Sequence, residues 1–145
     1  MTTTDPDFGL IQYVEPTDVC LHGYWQKEEG WTVAYQKEPV SSAEIPGTEV
    51  GPSDEARRFI LSKRDEPENL WRIAEPSILA LMSDWSGFEG KSPRDTFFIS
   101  NIAMDSEKTN PQGWEVCFQT KEDLKWIYFC LQIKGDKVIT NTIDT

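Results

Sequence analysis

Gly113-Trp114-Glu115-Val116-Cys117-Phe118-Gln119-Thr120 and Trp126-Ile127-Tyr128-Phe129-Cys130-Leu131-Gln132-Ile133 carry most of what the chain says about its architecture. In the first run Trp114, Val116 and Phe118 alternate with Glu115, Cys117 and Gln119. A period of two places one strand face on a core and turns the other away from it. The second run is apolar on both faces, as expected of a central strand covered on one side by a helix. Lys134-Gly135-Asp136-Lys137 then makes a tight connection into residues 138–143. Three consecutive strands with short connections form an antiparallel meander. Upstream, residues 96–104 make a further strand candidate, separated from Trp114 by a polar turn over residues 105–112.

Working back along the chain, the clearest helical pattern begins at Pro76. Ile78, Leu81, Met82 and Trp85 recur at i, i+3, i+4 and i+7, proline suits a first helical turn, and Gly87 is placed to end the element. Ser53-Asp54-Glu55 resembles a helix start, with Ala56, Phe59, Ile60 and Lys63 following at helical spacing. The apolar runs 59–61 and 70–73 fit a hairpin around residues 65–69 equally well, so both readings of 54–74 stand. Nearer the amino terminus, Leu10-Ile11-Gln12-Tyr13-Val14 reads as a short strand stopped by Glu15-Pro16-Thr17-Asp18. Residues 19–26 and 31–36 read as the arms of a hairpin around Lys27-Glu28-Glu29-Gly30, with Trp31, Val33 and Tyr35 sharing a face. Residues 1–7 are expected to be a flexible leader and residues 37–53, punctuated by prolines and glycines, a long loop.

The expectation is therefore a single α+β domain over residues 1–145: a mainly antiparallel sheet with one or two helices packed on one face. Phe118, Ile127, Phe129, Leu131 and Ile133 should be core. With 145 residues, 38% of them hydrophobic, the chain is long enough to bury one core.

Charge narrows the function. The formal net charge is −11, and residues 1–56 hold 11 acidic side chains against Lys27 and Lys37 alone. Such a chain repels phosphate backbones and anionic lipids, which argues against direct nucleic-acid binding and against a membrane surface. Aromatic residues interleave with those acids, and aromatics supply the anchors of protein interfaces. Tyr24, Trp25, Glu28, Glu29, Trp31, Glu38, Glu44 and Glu49 are accordingly the candidate partner-binding residues. The amino terminus lacks the charged and apolar regions of a signal peptide, and no run is long and apolar enough to span a membrane. Three cysteines at wide spacing, Cys20, Cys117 and Cys130, argue against a disulfide framework and read as small buried hydrophobes in a reducing, cytoplasmic setting.

Catalytic motifs are wanting. His22 is the only histidine. Cys20-Leu21-His22 puts a thiol and an imidazole on one strand face, but no Cys-x-x-Cys accompanies them, so neither chemistry nor a metal is expected there and no cofactor is implied. No phosphate-binding glycine loop, nucleophile elbow or His-Glu-x-x-His is present.

The stretch from Gly113 to Ile143, a tryptophan-led strand followed by Trp-Ile-Tyr-Phe-Cys-Leu-Gln-Ile and the Lys-Gly-Asp-Lys turn, resembles the final strands of small cystatin-like and NTF2-like α+β proteins. Among these it looks most like bacterial immunity proteins, small acidic cytoplasmic partners that neutralise secreted toxins. The likeness covers about a fifth of the chain, and NTF2-like chains usually begin with a helix where this one begins with strands. No functional residue is carried over. The resemblance and the charge together imply a stoichiometric inhibitor, of immunity or anti-defence type, of a basic protein partner such as a toxin or a defence enzyme. The alternative is a small-molecule-binding or enzymatic α+β cone, with Trp85, Trp114 and Trp126 lining a pocket and Cys20 or His22 at its mouth.

Overall fold

Three β-branched threonines open the chain, and they pair rather than trail. The structure, a computed structural model, describes residues 1–18, 22–104 and 113–145, with the side chains of residues 28–30 outside that description. β1 (Thr2–Asp5) lies antiparallel to β2 (Gly9–Val14), so residues 1–7 are a sheet edge and not a flexible leader. Asp5 is what fixes the turn: its Oδ1 accepts from the backbone N–H groups of Asp7 and Phe8 at 2.8 and 3.1 Å.

The expected hairpin over residues 19–36 is replaced by one continuous strand, β3 (Tyr24–Thr32), paired with β2 on one side and β4 (Pro39–Thr48) on the other. Lys27-Glu28-Glu29-Gly30 looks like a turn because it is polar and ends in glycine. It holds instead an irregularity in the β3–β4 ladder, between Glu28 and Trp31, where two residues of β3 oppose one of β4. The same bulge breaks the alternation of β4, whose buried residues are Val40, Ala43 and Ile45. That break, with prolines at both ends, is why residues 37–53 read as a loop. Beyond β4 the two-residue β5 (Gly51–Pro52) folds back on Gly47 and Thr48.

Residues 54–74 are helical. α1 (Asp54–Asp65) is capped by Ser53, whose side chain accepts from the Ala56 N–H at 3.1 Å, with acids in its first turn and Lys63 and Arg64 in its last. α2 (Glu68–Asp84) starts eight residues earlier than the pattern predicts. Pro76 sits inside it, where the missing N–H costs one intrahelical bond but the exposed ring meets no core neighbour. Leu70, Trp71, Ala74, Ile78, Leu81 and Met82 make one buried stripe along its length. A single turn, α3 (Pro93–Thr96), leads into the last four strands, β6 (Phe97–Met104), β7 (Gly113–Thr120), β8 (Tyr128–Lys134) and β9 (Lys137–Asp144). The turn expected over residues 105–112 lies outside the described residues.

Strand order is β1-β2-β3-β4-β6-β7-β8-β9, with β5 attached to β4, a nine-stranded sheet. The carboxyl-terminal meander is as the alternation predicts. The sheet is mixed, however, because β4 and β6 pair in parallel over residues 42–44 and 101–103. The three helices supply the crossover that a parallel pair requires. Gln36 extends that short seam with its side chain: Nε2 donates to the Ile99 carbonyl at 2.9 Å and Oε1 accepts from the Ile99 N–H at 3.0 Å. The fold class is α+β.

Core packing joins both halves. Trp71 of α2 meets Phe118 of β7 at 5.1 Å between ring centroids, and Phe59 of α1 meets Trp114 edge-on at 5.3 Å. Phe118, Ile127, Phe129, Leu131 and Ile133 are all buried in one cluster with Ile60, Leu70, Ala74 and Ile78.

Candidate functional site

The positions that alternate with this core form a second, polar face. Strand register lines up Gln26, Glu44, Ala103, Glu115, Gln132 and Thr140 in one row across β3, β4, β6, β7, β8 and β9. The adjacent row runs Ser42, Asn101, Cys117, Cys130 and Thr142. Residues two apart on a strand share a face, so both rows point the same way.

These side chains contact one another. Ser42 donates its hydroxyl to Asn101 Oδ1 at 2.8 Å, and Asn101 Nδ2 donates to Cys117 Sγ at 3.9 Å. Glu115 Oε1 lies 3.4 Å from the same sulfur, while Glu115 Oε2 accepts from Gln132 Nε2. Cys117 and Cys130, directly opposite in register, are joined as a disulfide. This corrects the expectation of three unconnected thiols. Both cysteines are buried, as expected, yet neither belongs to the hydrophobic cluster. Cys20 lies outside the described residues, and with it the expectation that Cys20 and His22 do no chemistry.

Electrostatics on the face are unfavourable to charge. Burial, and then the nearby Glu115 carboxylate, push the Glu44 carboxyl above its ordinary range. Burial likewise raises the Tyr128 hydroxyl, with Glu115 and Glu44 adding to the effect. A raised carboxyl binds its proton more tightly when folded, so its contribution to stability falls as pH climbs from the ordinary carboxylate value of 4.5 through the raised one. Glu44→Gln is therefore expected to raise the denaturation midpoint at pH 7 relative to wild type while leaving it little changed near pH 4. Urea melts at the two pH values check this, and equal effects at both would show that the Glu44 charge is not opposed by its surroundings.

Two of the candidate partner-binding residues belong to the core. Trp25 and Trp31 are buried, 1% and 8% exposed. The Trp25 indole donates to the Thr48 carbonyl at 2.8 Å, and Trp31 packs edge-on against Phe8. Their strand positions share the core face, which removes them as surface anchors. Tyr24 is half-buried opposite Pro46. The backbone of Glu28 pairs with Ser42, and Glu29 follows at the bulge. Glu38 is half-buried before β4, and Glu49 is exposed at the β4–β5 turn. Of the set, Glu44 lies in the polar rows, and the strand positions of Tyr24 and Glu28 share the face of Gln26 beside it.

Sequence reasoning missed Cys117, Cys130, Glu115 and Gln132, and placed Trp126 in a pocket and not beside this face. Trp126 is 46% exposed and stacks on Tyr128, ring planes 9° apart at 6.3 Å. The usable signal was the alternation itself: Glu115, Cys117 and Gln119 oppose the core positions of β7 as Tyr128, Cys130 and Gln132 do in β8. The pocket imagined between Trp85, Trp114 and Trp126 does not form. Trp114 donates to the Gly135 carbonyl at one end of β7, while Trp126 follows Lys125, whose carbonyl binds Thr120 at the other, roughly 20 Å of strand away. A groove of about 310 Å³ between α2 and α3 is lined by an ion pair, Arg94 to Glu68 at 2.8 Å through both nitrogens.

Among the described residues no helix is long and apolar enough to cross a membrane. Comparison with protein-family models, curated proteins and solved structures finds no match to this chain. What defines it is its own architecture, an α+β fold on a nine-stranded mixed sheet.

Proposed function

We propose that this chain is an acidic binding protein, a stoichiometric inhibitor of immunity or anti-defence type, whose target is a basic protein such as a toxin or a defence enzyme. The polar sheet face supports the reading. Glu44 and Glu115 share one row there, where burial and then the charge of Glu115 raise the Glu44 carboxyl, and the half-exposed Trp126 stacks on Tyr128. A basic partner would relieve that repulsion, and an exposed indole beside it is the kind of group that anchors an interface. We read both long helices as covering the opposite side of the sheet, which leaves this side for the partner. The −9 carried by residues 1–56 extends the attractive field beyond the contact.

Purification of the chain with its bound proteins from the native source, followed by titration of the partner's own activity, tests the reading. The partner should be basic, and its activity should vanish at one chain per target. Glu28→Lys combined with Glu29→Lys is expected to slow association by about tenfold at low salt and to flatten its salt dependence, whereas Trp126→Ala should mainly speed dissociation. An acidic partner, or an association rate indifferent to salt and to these reversals, would remove the acidic surface from the mechanism.

A further inference from the structure

The disulfide sits in surroundings that a structural cross-link does not need. Disulfide sulfurs carry no charge, yet Glu115 Oε1 lies 3.4 Å from Cys117 Sγ and the Asn101 amide donates to the same atom. Glu115 is itself held by Gln132, and Asn101 by Ser42. Gln132 Oε1 is buried with no hydrogen-bond partner among the described residues. One carboxylate and two sulfurs therefore converge on a sheet face outside the hydrophobic cluster. The Glu115, Cys117 and Cys130 ligand atoms all lie within 4.8 Å of one another.

We infer that in its dithiol form this cluster is a binding site for one thiophilic divalent cation of the zinc class, held by Cys117, Cys130 and Glu115, and that formation of the Cys117–Cys130 disulfide closes it.

The dimensions suit a tetrahedral ion. With zinc bonds of about 2.3 Å to sulfur and about 2.0 Å to oxygen, the sulfur–oxygen edge of the tetrahedron is about 3.5 Å and the sulfur–sulfur edge about 3.8 Å. The first is already present between Glu115 and Cys117. The second is reached when the S–S bond opens, since the two cysteines face each other across adjacent strands. A water supplies the fourth position. Two thiolates and a carboxylate against a dication leave a net charge of −1, offset by the Asn101 N–H on one sulfur. The hydrogen bonds from Ser42 through Asn101, and from Gln132 to Glu115, orient the ligands as outer partners do in metal sites.

The switch balances. A dithiol reductant, small molecule or thioredoxin-class protein, gives two electrons and two protons to the S–S bond, leaving two thiols here and a disulfide on the reductant. The cation then displaces both thiol protons to the solvent. Oxidation by a disulfide donor reverses the sequence and releases the cation.

Cobalt(II) and zinc(II) are the probes, added to the full chain after reduction and removal of the reductant, and in parallel to the oxidised chain. The reduced protein should bind one ion per chain, seen by native mass spectrometry, and cobalt should show the thiolate charge-transfer and intense visible bands of a tetrahedral site. The oxidised protein should bind none. Cys117→Ser and Cys130→Ser should each abolish the charge-transfer signal, and Glu115→Gln should weaken zinc binding by at least tenfold while circular dichroism confirms the fold. Cys20→Ser should bind as wild type does. No ion on the reduced chain, equal binding by the oxidised chain, or binding that survives loss of Cys117 and Cys130 but not of Cys20 would each overturn the assignment. None of these outcomes depends on whether the chain inhibits a basic partner.

Discussion

Phe118→Ala is expected to destabilise the protein by about 3–5 kcal/mol, the range found when a large buried aromatic is deleted and its cavity cannot collapse. Phe118 has no exposed surface and occupies the middle of β7, flanked in register by Ile99 of β6 and Phe129 of β8. Trp71 of α2 covers it at 5.1 Å. Neighbours on three elements are each held by their own strand or helix, so little can move in to fill the space. Against a total stability of about 5–15 kcal/mol for a domain, such a loss leaves a marginal fold. Urea denaturation followed by tryptophan fluorescence measures it, with Ile139→Ala as the control. Ile139 is 63% exposed on β9, and its truncation should stay within about 0.5 kcal/mol. Equal effects at the two positions would mean that the helices do not bear on this part of the sheet.

Phe118 also shows which parts of the fold a sequence can disclose. The meander was legible because alternation along β7 is uninterrupted and the β8–β9 connection through Gly135 is short, so local pattern and long-range pairing agree. The amino-terminal half conceals its strands where those two disagree. In β3 the bulge after Glu28 lets a polar, glycine-ended segment remain in the sheet, and in β4 the same bulge displaces the buried residues from strict alternation. Pro76 misleads in another way. Proline most often opens a helix, but an exposed position inside α2 tolerates it, and the helix grows backward through Leu70 and Trp71, whose burial no local rule announces. The site was the least legible part. Cys117 and Cys130 meet only because β7 and β8 take one register among several, and a slip of one residue would put the two sulfurs on opposite faces. Trp25 and Trp31 look like surface anchors in the sequence for the same reason, since only the register of β3 puts them on the core face.

Arg57→Ala should be the most costly change outside the hydrophobic core, about 2–3 kcal/mol. The Asp5 side chain is only 6% exposed, and Arg57 grips it through both nitrogens, at 2.5 and 2.7 Å, while also reaching Asp7 at 2.6 Å. Removing one partner of a buried pair leaves the other charge uncompensated, which costs about 3–5 kcal/mol when both are fully buried. Arg57 is 24% exposed, so solvent screening and access lower the figure. The guanidinium also lies 5.5 Å over the Phe8 ring and ties β1 to α1, elements otherwise far apart in sequence. Arg57 is the first cause of the lowered Asp5 carboxyl, ahead of the opposing effect of burial and the bonds from Asp7 and Phe8. A depressed carboxyl stabilises the fold above its unfolded value of 3.8, and that contribution is lost as pH falls through the folded one. Wild type should therefore lose stability below pH 4 more steeply than Asp5→Asn, which has no charge to titrate. The double variant Asp5→Asn, Arg57→Met separates pairing from packing: with no orphaned carboxylate it should be more stable at pH 7 than Arg57→Ala alone. A double variant as unstable as Arg57→Ala, with the acid limb of its stability curve unchanged from wild type, would place the cost in lost contact with Phe8 and not in the buried charge of Asp5.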